Sequence, residues 1–227
     1  MDARVFPLDH VDLADSEPLA RGAVREVHRH PHRPDLLIKA FQPAKLAKYR
    51  DRKGPVASLR RWLTLGPHTA FLREYRACLR LSLRAEGSAL PLPVARVGAI
   101  VPTDRGVAQE VEKVTNGRGG LGESLRSLLR SGRIEAAHVA ALNDLVAALD
   151  TLDANAPDLG SANIVWDGSV GRFVLIDGFA DQTILPFREW IRPLRKRRIS
   201  QRWAAMGRGG PLIWLPDERR FRLRDPQ

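Results

Sequence analysis

Two short apolar runs, Asn163-Ile164-Val165-Trp166 and Phe173-Val174-Leu175-Ile176, flank the segment Asp167-Gly168-Ser169-Val170-Gly171. β-branched and aromatic residues on both sides of an Asp-Gly turn read as an antiparallel hairpin. What brackets the hairpin constrains the chain most. Asn163 opens the first run and Asp177 directly follows the second. In an antiparallel pair the start of one strand lies beside the end of the other, so Asn163 and Asp177 are expected as neighbours. Asp158, five residues before Asn163 in Asp158-Leu159-Gly160-Ser161-Ala162-Asn163, falls in the loop leading to them. Such oxygen donors suit Mg²⁺, with water and phosphate completing the shell. The competing reading is a set of polar groups capping strand ends.

Two further charges sit where apolar residues are expected. Lys39 interrupts the strand-like run Leu36-Leu37-Ile38-Lys39-Ala40-Phe41. Strand alternation puts it on one face with Leu37 and Phe41. A lysine there needs a carboxylate partner or a phosphate, unless it lies on an edge strand and snorkels to water. Glu74 lies in a predicted helix from Thr69, a candidate N-cap, to about Leu83. Phe71, Leu72, Tyr75, Cys78, Leu79 and Leu83 recur there at three- and four-residue spacing. Glu74 falls between Phe71 and Cys78, so it either meets a cation or sits at the margin of the stripe in water.

Around these points the sequence predicts strands near Val94–Val101 and Gly106–Val114, with a turn at Pro102-Thr103-Asp104-Arg105. Residues 42–68, broken by Pro43, Gly54, Pro55, Gly66 and Pro67, read as a basic, loop-rich insertion. Thr115-Asn116-Gly117-Arg118-Gly119-Gly120 reads as a hinge. This divides the chain into 1–114, the hinge 115–120, and a mainly helical 121–227. In that last part Leu121, Leu125, Leu128 and Leu129 mark a short helix, and Val139 through Leu152 a longer one. The end of the chain reads as helical or irregular.

Charge limits the ligands. The 37 Lys and Arg against 26 Asp and Glu give +11, an excess that attracts polyanions without choosing among them. Arg192–Arg202 holds six basic residues and no acid. It reads as a docking surface for an acidic partner or as a solvated helix face. No aromatic–basic nucleic-acid motif is evident, so a basic nucleic-acid-binding protein is the most distant alternative. A single cysteine, Cys78, no zinc-ligand spacing, and no apolar run long enough to span a membrane point to a cytoplasmic chain.

Lys39, Glu74, Asp158, Asn163 and Asp177 occur in the order of the protein-kinase pattern: strand lysine, helix glutamate, catalytic-loop Asp and Asn, then a metal-binding Asp after a strand. The chain more specifically resembles the YrbL family, small bacterial kinase-like proteins named for the PhoP regulatory network. The resemblance rests on Pro18-Leu19-Ala20-Arg21-Gly22, His30-Pro31, Leu37-Ile38-Lys39, Arg73-Glu74-Tyr75 and Asn163-Ile164-Val165. Asp177-Gly178-Phe179-Ala180-Asp181, Thr183-Ile184-Leu185-Pro186 and Trp190 complete it.

The resemblance implies a two-lobed α+β fold with a compact, truncated C-lobe, and ATP and Mg²⁺ in a cleft. Lys39 would hold the α- and β-phosphates and Glu74 would orient it. Gly22 would belong to the phosphate loop, and the backbone near Glu110 to Glu112 would meet the adenine. Asp158 would accept the proton of the attacking hydroxyl, and Asn163 and Asp177 would hold Mg²⁺. The acceptor, protein or small molecule, is left open.

Several departures bear on that expectation. The phosphate loop has one glycine, Ala156-Pro157 replaces the His-Arg before the catalytic Asp, and Asp177-Gly178-Phe179 stands where Asp-Phe-Gly is usual. No Ala-Pro-Glu segment follows, and 50 residues remain after Asp177. A pseudokinase or nucleotide-binding regulatory interaction protein is therefore the alternative to an active phosphotransferase.

Overall fold

In the computed structural model, which describes residues 10–51, 66–180 and 192–224, the chain is an α+β protein built on antiparallel sheets. It divides into two compact units, Met1–Tyr75 with Arg96–Lys113, and Arg76–Ala95 with Val114–Gln227.

The first unit is organised by β1 (Ala20–Arg21), β2 (Arg25–Arg29), β3 (Leu36–Phe41), β4 (Val97–Thr103) and β5 (Gly106–Glu112). They form one sheet in the order β1-β2-β3-β5-β4, every neighbour antiparallel. Alternation along β3 divides its side chains. Ile38 and Ala40 bury with Val11, Leu13, Val101 and Ala108. On the other face Phe41 packs with Leu46 and Phe71, which puts helix α2 (Thr69–Ala85) against the side that carries Lys39.

The region 42–68 is not all loop. Pro43 begins helix α1 (Pro43–Arg50), because its fixed φ suits the first helical position, where no amide hydrogen bond is needed. Residues 52–65 of the expected insertion lie outside the described residues. Helix α2 forms where the spacing predicts it, but the buried stripe is Phe71, Glu74, Cys78 and Leu81, while Tyr75, Leu79 and Leu83 are exposed. A 3.6-residue period supports two apolar stripes here, and the one with Glu74 is buried because its carboxylate finds cations.

The second unit takes residues 76–95, which the sequence grouped with the first part. Side-chain and backbone pairings both tie them there. Arg84 donates to the carbonyls of Leu152 and Asp153, and Val94 bridges to Leu175. Helices α3 (Leu125–Arg130) and α4 (Ala136–Thr151) precede the hairpin of β7 (Ile164–Asp167) and β8 (Arg172–Leu175), whose free side pairs with β6 (Glu123–Ser124). Leu121 lies outside α3, which begins after Ser124, an N-cap whose hydroxyl accepts from Ser127 N–H.

The glycine segment 115–120 lies inside this unit. Gly117 has φ +77°, and a Cβ there would come 2.9 Å from the Gly168 carbonyl, so its freedom serves close packing on the hairpin turn. The C-terminal part is more regular than expected. Helix α5 (Arg192–Gly207) leads into a hairpin of β9 (Leu212–Leu215) and β10 (Arg220–Leu223). Trp203, Trp214 and Phe221 form its aromatic core. Among the described residues no helix is long and apolar enough to cross a membrane.

Candidate functional site

The first unit answers the two misplaced charges with each other. Lys39 Nζ donates to Glu74 Oε2 at 3.3 Å, and both residues are buried, at 7% and 3% exposure. Arg25 takes the other carboxylate oxygen, Oε1. The register explains the meeting. Val27 pairs with Lys39 and Arg25 with Phe41, so Arg25 and Lys39 share the face that α2 covers. Gln109, the partner of Lys39 across β3 and β5, donates from Nε2 to the Phe71 carbonyl at 3.2 Å, fixing the helix that carries Glu74 to the sheet. Arg25 was not among the sequence candidates. Its only signal is its place three residues after Gly22, at the start of a strand whose next same-face residue is Val27.

Gly22 lies in the exposed β1–β2 turn. Its N–H donates to the Arg25 carbonyl at 2.8 Å and its own carbonyl accepts from Gln42 Nε2 at 2.7 Å. Glu110 and Glu112 lie on β5. β5 is an interior strand, paired to β3 through Glu112 and to β4 through Val111, so 110–112 lie within the sheet rather than along an open edge. The Glu110 carboxylate points to the face opposite Lys39 and accepts from His30 Nε2 and Arg33 Nη1, both at 3.1 Å. His30 Nδ1 accepts the backbone N–H groups of His32 and Arg33, so the ring proton is on Nε2. Glu110 therefore secures the turn after β2.

The second unit gathers the other three candidates as the hairpin argument requires. Ile176 N–H donates to the Asn163 carbonyl at 2.8 Å, closing the hairpin end. Asn163 Nδ2 donates to the Asp158 carbonyl at 3.1 Å, which turns the amide oxygen away from that loop. Asp158 N–H reaches the Gly178 carbonyl at 3.3 Å. Asp177 Oδ1 accepts the N–H of Gly178 at 2.8 Å.

Gly178 is required here. It has φ +80°, and a Cβ would lie 2.6 Å from the Asp158 carbonyl oxygen. The order Asp-Gly-Phe thus places the glycine at the point where two backbones touch, and Phe179 behind it is buried. Buried Ala156 and Leu159 anchor the loop on either side of Asp158. The exposed carboxylate of Asp158 makes no hydrogen bond or ion pair among the described residues. No group of three or more His, Cys, Asp or Glu side chains forms a metal cluster among those residues. Asn163 and Asp177 carry an amide oxygen and a carboxylate, hard oxygen donors of the kind Mg²⁺ takes.

The basic segment near the chain end forms α5, whose residues 195–202 are described with side chains. Arg195 pairs with Asp153. Ser200, beside the run of arginines, accepts from Trp214 Nε1 at 3.1 Å.

A family model described as PhoP regulatory network protein YrbL matches residues 11–209. No curated protein matches the chain.

Proposed function

The chain belongs to the YrbL family of PhoP regulatory network proteins, and from that premise we propose that it is an ATP- and Mg²⁺-dependent phosphotransferase of protein-kinase-like fold. It moves the γ-phosphoryl group of ATP to a hydroxyl on an acceptor. The observation that supports this most is the buried Lys39–Glu74 pair between a sheet strand and the helix packed on it. Burying two charges is costly unless the geometry is good, so a chain that keeps them gains something from an ammonium held in a fixed place.

ATP with Mg²⁺ supplies the transferable group and most of the charge neutralisation. Of the chain's own residues, Lys39 binds phosphate oxygens and Glu74 positions its ammonium. Asn163 and Asp177 offer oxygens to the metal. Asp158 takes the acceptor's hydroxyl proton as the new O–P bond forms and the bond from the γ-phosphorus to the β–γ bridging oxygen breaks, leaving ADP. Catalysis of this kind is chiefly positioning and electrostatics. Mg²⁺-dependent ADP release should fall about 10²–10³-fold in Lys39→Met and in Asp177→Asn, the scale of losing one stabilising group. Full turnover in both variants rejects the assignment.

Nucleotide binding without transfer is the second reading, and Arg25 favours it. By occupying Glu74 beside Lys39, it divides the carboxylate between two cations. On this reading ATP raises the melting temperature through linkage while no ADP is released.

A further inference from the structure

Helix α5 presents Arg195, Arg198 and Arg202 at spacings of three and four residues, hence along one strip. They line a small pocket whose other wall is Asn155, Ala156 and Pro157. That wall is the segment running directly into Asp158. Ile199, 8% exposed, closes the pocket on the helix side. The charges are not equivalent. Arg195 is paired with Asp153, while Arg198 and Arg202 are exposed and make no ion pair among the described residues. Two guanidinium groups without a carboxylate partner among the described residues thus line a concavity beside the loop of Asp158. Guanidinium groups match phosphate in shape and hydrogen bonding, and a phosphomonoester carries about −1.5 to −2 at neutral pH, the charge needed to offset them.

We infer that Arg195, Arg198 and Arg202, with the Asn155–Pro157 wall, form an anion subsite for a phosphomonoester group on the acceptor. The acceptor class is then a molecule with both a free hydroxyl and a phosphomonoester. Anion binding stands on the pocket alone, whereas its assignment to the acceptor rests on the phosphotransferase reading. Arg195 has a structural tie through Asp153, and Arg198 and Arg202 are the residues that confer selectivity.

The test is calorimetric titration of the full chain with inorganic phosphate, without nucleotide, at fixed ionic strength. Saturable binding is expected, weakened at least tenfold in the double variant Arg198→Gln/Arg202→Gln. Lys196→Gln/Arg197→Gln, the same charge change on exposed residues of α5 that do not line the pocket, should leave it unchanged. Equal weakening by both pairs means a diffuse basic surface and overturns the subsite, as does the absence of saturable binding. Loss in Lys39→Met instead would assign the phosphate to the nucleotide cluster and overturn it too.

Competition then identifies the source. Displacement of phosphate by glycerol 3-phosphate supports a small-molecule acceptor, and displacement by a phosphoserine peptide supports a polypeptide. If neither competes better than free phosphate, the acceptor role fails. Because nucleotide is absent throughout, these outcomes are independent of whether ATP is turned over.

Discussion

In the first unit, Lys39, Glu74 and Arg25 are withdrawn from water and joined side chain to side chain. In the second, Asp158 is exposed, Asn163 and Asp177 are half-buried, and backbone groups of Asp158, Asn163 and Gly178 take part in the hydrogen bonds that place them. The first arrangement holds its charges by mutual neutralisation, so function and stability are carried by the same atoms. The second holds its charges by the path of the chain, chiefly at Gly178, and leaves the Asp158 carboxylate solvated. Substitutions should therefore damage folding in one cluster and chemistry in the other.

The largest effect is expected at Glu74. Glu74→Ala leaves Lys39 and Arg25 facing one another without the carboxylate they share. Breaking a buried pair on one side costs about 3–5 kcal/mol. Lys39→Met should cost less, because Glu74 keeps Arg25. Urea unfolding midpoints of the two variants decide it. If Lys39→Met is the more destabilising, the carboxylate is not the hub of the cluster.

Gly178→Ala comes next. The left-handed backbone alone costs about 1–2 kcal/mol for a residue with a Cβ, and the added carbon would meet the Asp158 carbonyl at 2.6 Å. A loss of about 2 kcal/mol or more is expected, together with a shift of the Asp158 backbone amide in the NMR spectrum. Unchanged amide positions would mean that the glycine does not set the geometry of this loop. Asp158→Asn marks the contrast. The side chain is exposed and makes no ion pair among the described residues, so stability should move by less than about 0.5 kcal/mol while ADP release falls sharply. A stability loss comparable to that of Glu74→Ala would erase the difference between the two clusters.

The same contrast explains what could be read from the sequence. Lys39 and Glu74 were legible as charges in apolar patterns, and Asn163 and Asp177 as the two ends of a hairpin, because strand and helix periods carry that information locally. Arg25 was not legible, since its role depends on the register between β2 and β3. The interior place of Glu110 and Glu112 was not legible for the same reason: whether a strand is interior or lies on an edge is decided by distant pairings. The β9–β10 hairpin was hidden by arginines alternating with apolar residues around Pro216, and the close approach of Gly117 to Gly168 depends on a packing that no local pattern shows. The spacing of Arg195, Arg198 and Arg202 was visible, but not the loop they face.

A charge pair at the surface of the second unit gives the smallest test. Glu123 Oε1 accepts from the Ser127 hydroxyl at 2.6 Å and meets Arg133, whose own side chain is mostly exposed. The Ser127 hydrogen bond, followed by Arg133, holds the carboxyl below its ordinary value of 4.5, against the opposing effect of burial. A carboxyl with a lowered folded pKa adds stability that is present above the unfolded value and is lost as pH falls through the folded one. Wild type should therefore lose its advantage over Glu123→Gln below about pH 4.5. Exposed pairs contribute no more than about 1 kcal/mol, so the difference in urea midpoint between the two proteins should be small at pH 7 and shrink toward zero in acid. A gap that widens on acidification would mean that the carboxyl is stabilised in its protonated form. A gap as large as that of Glu74→Ala would show that burial is not what separates the two kinds of charge.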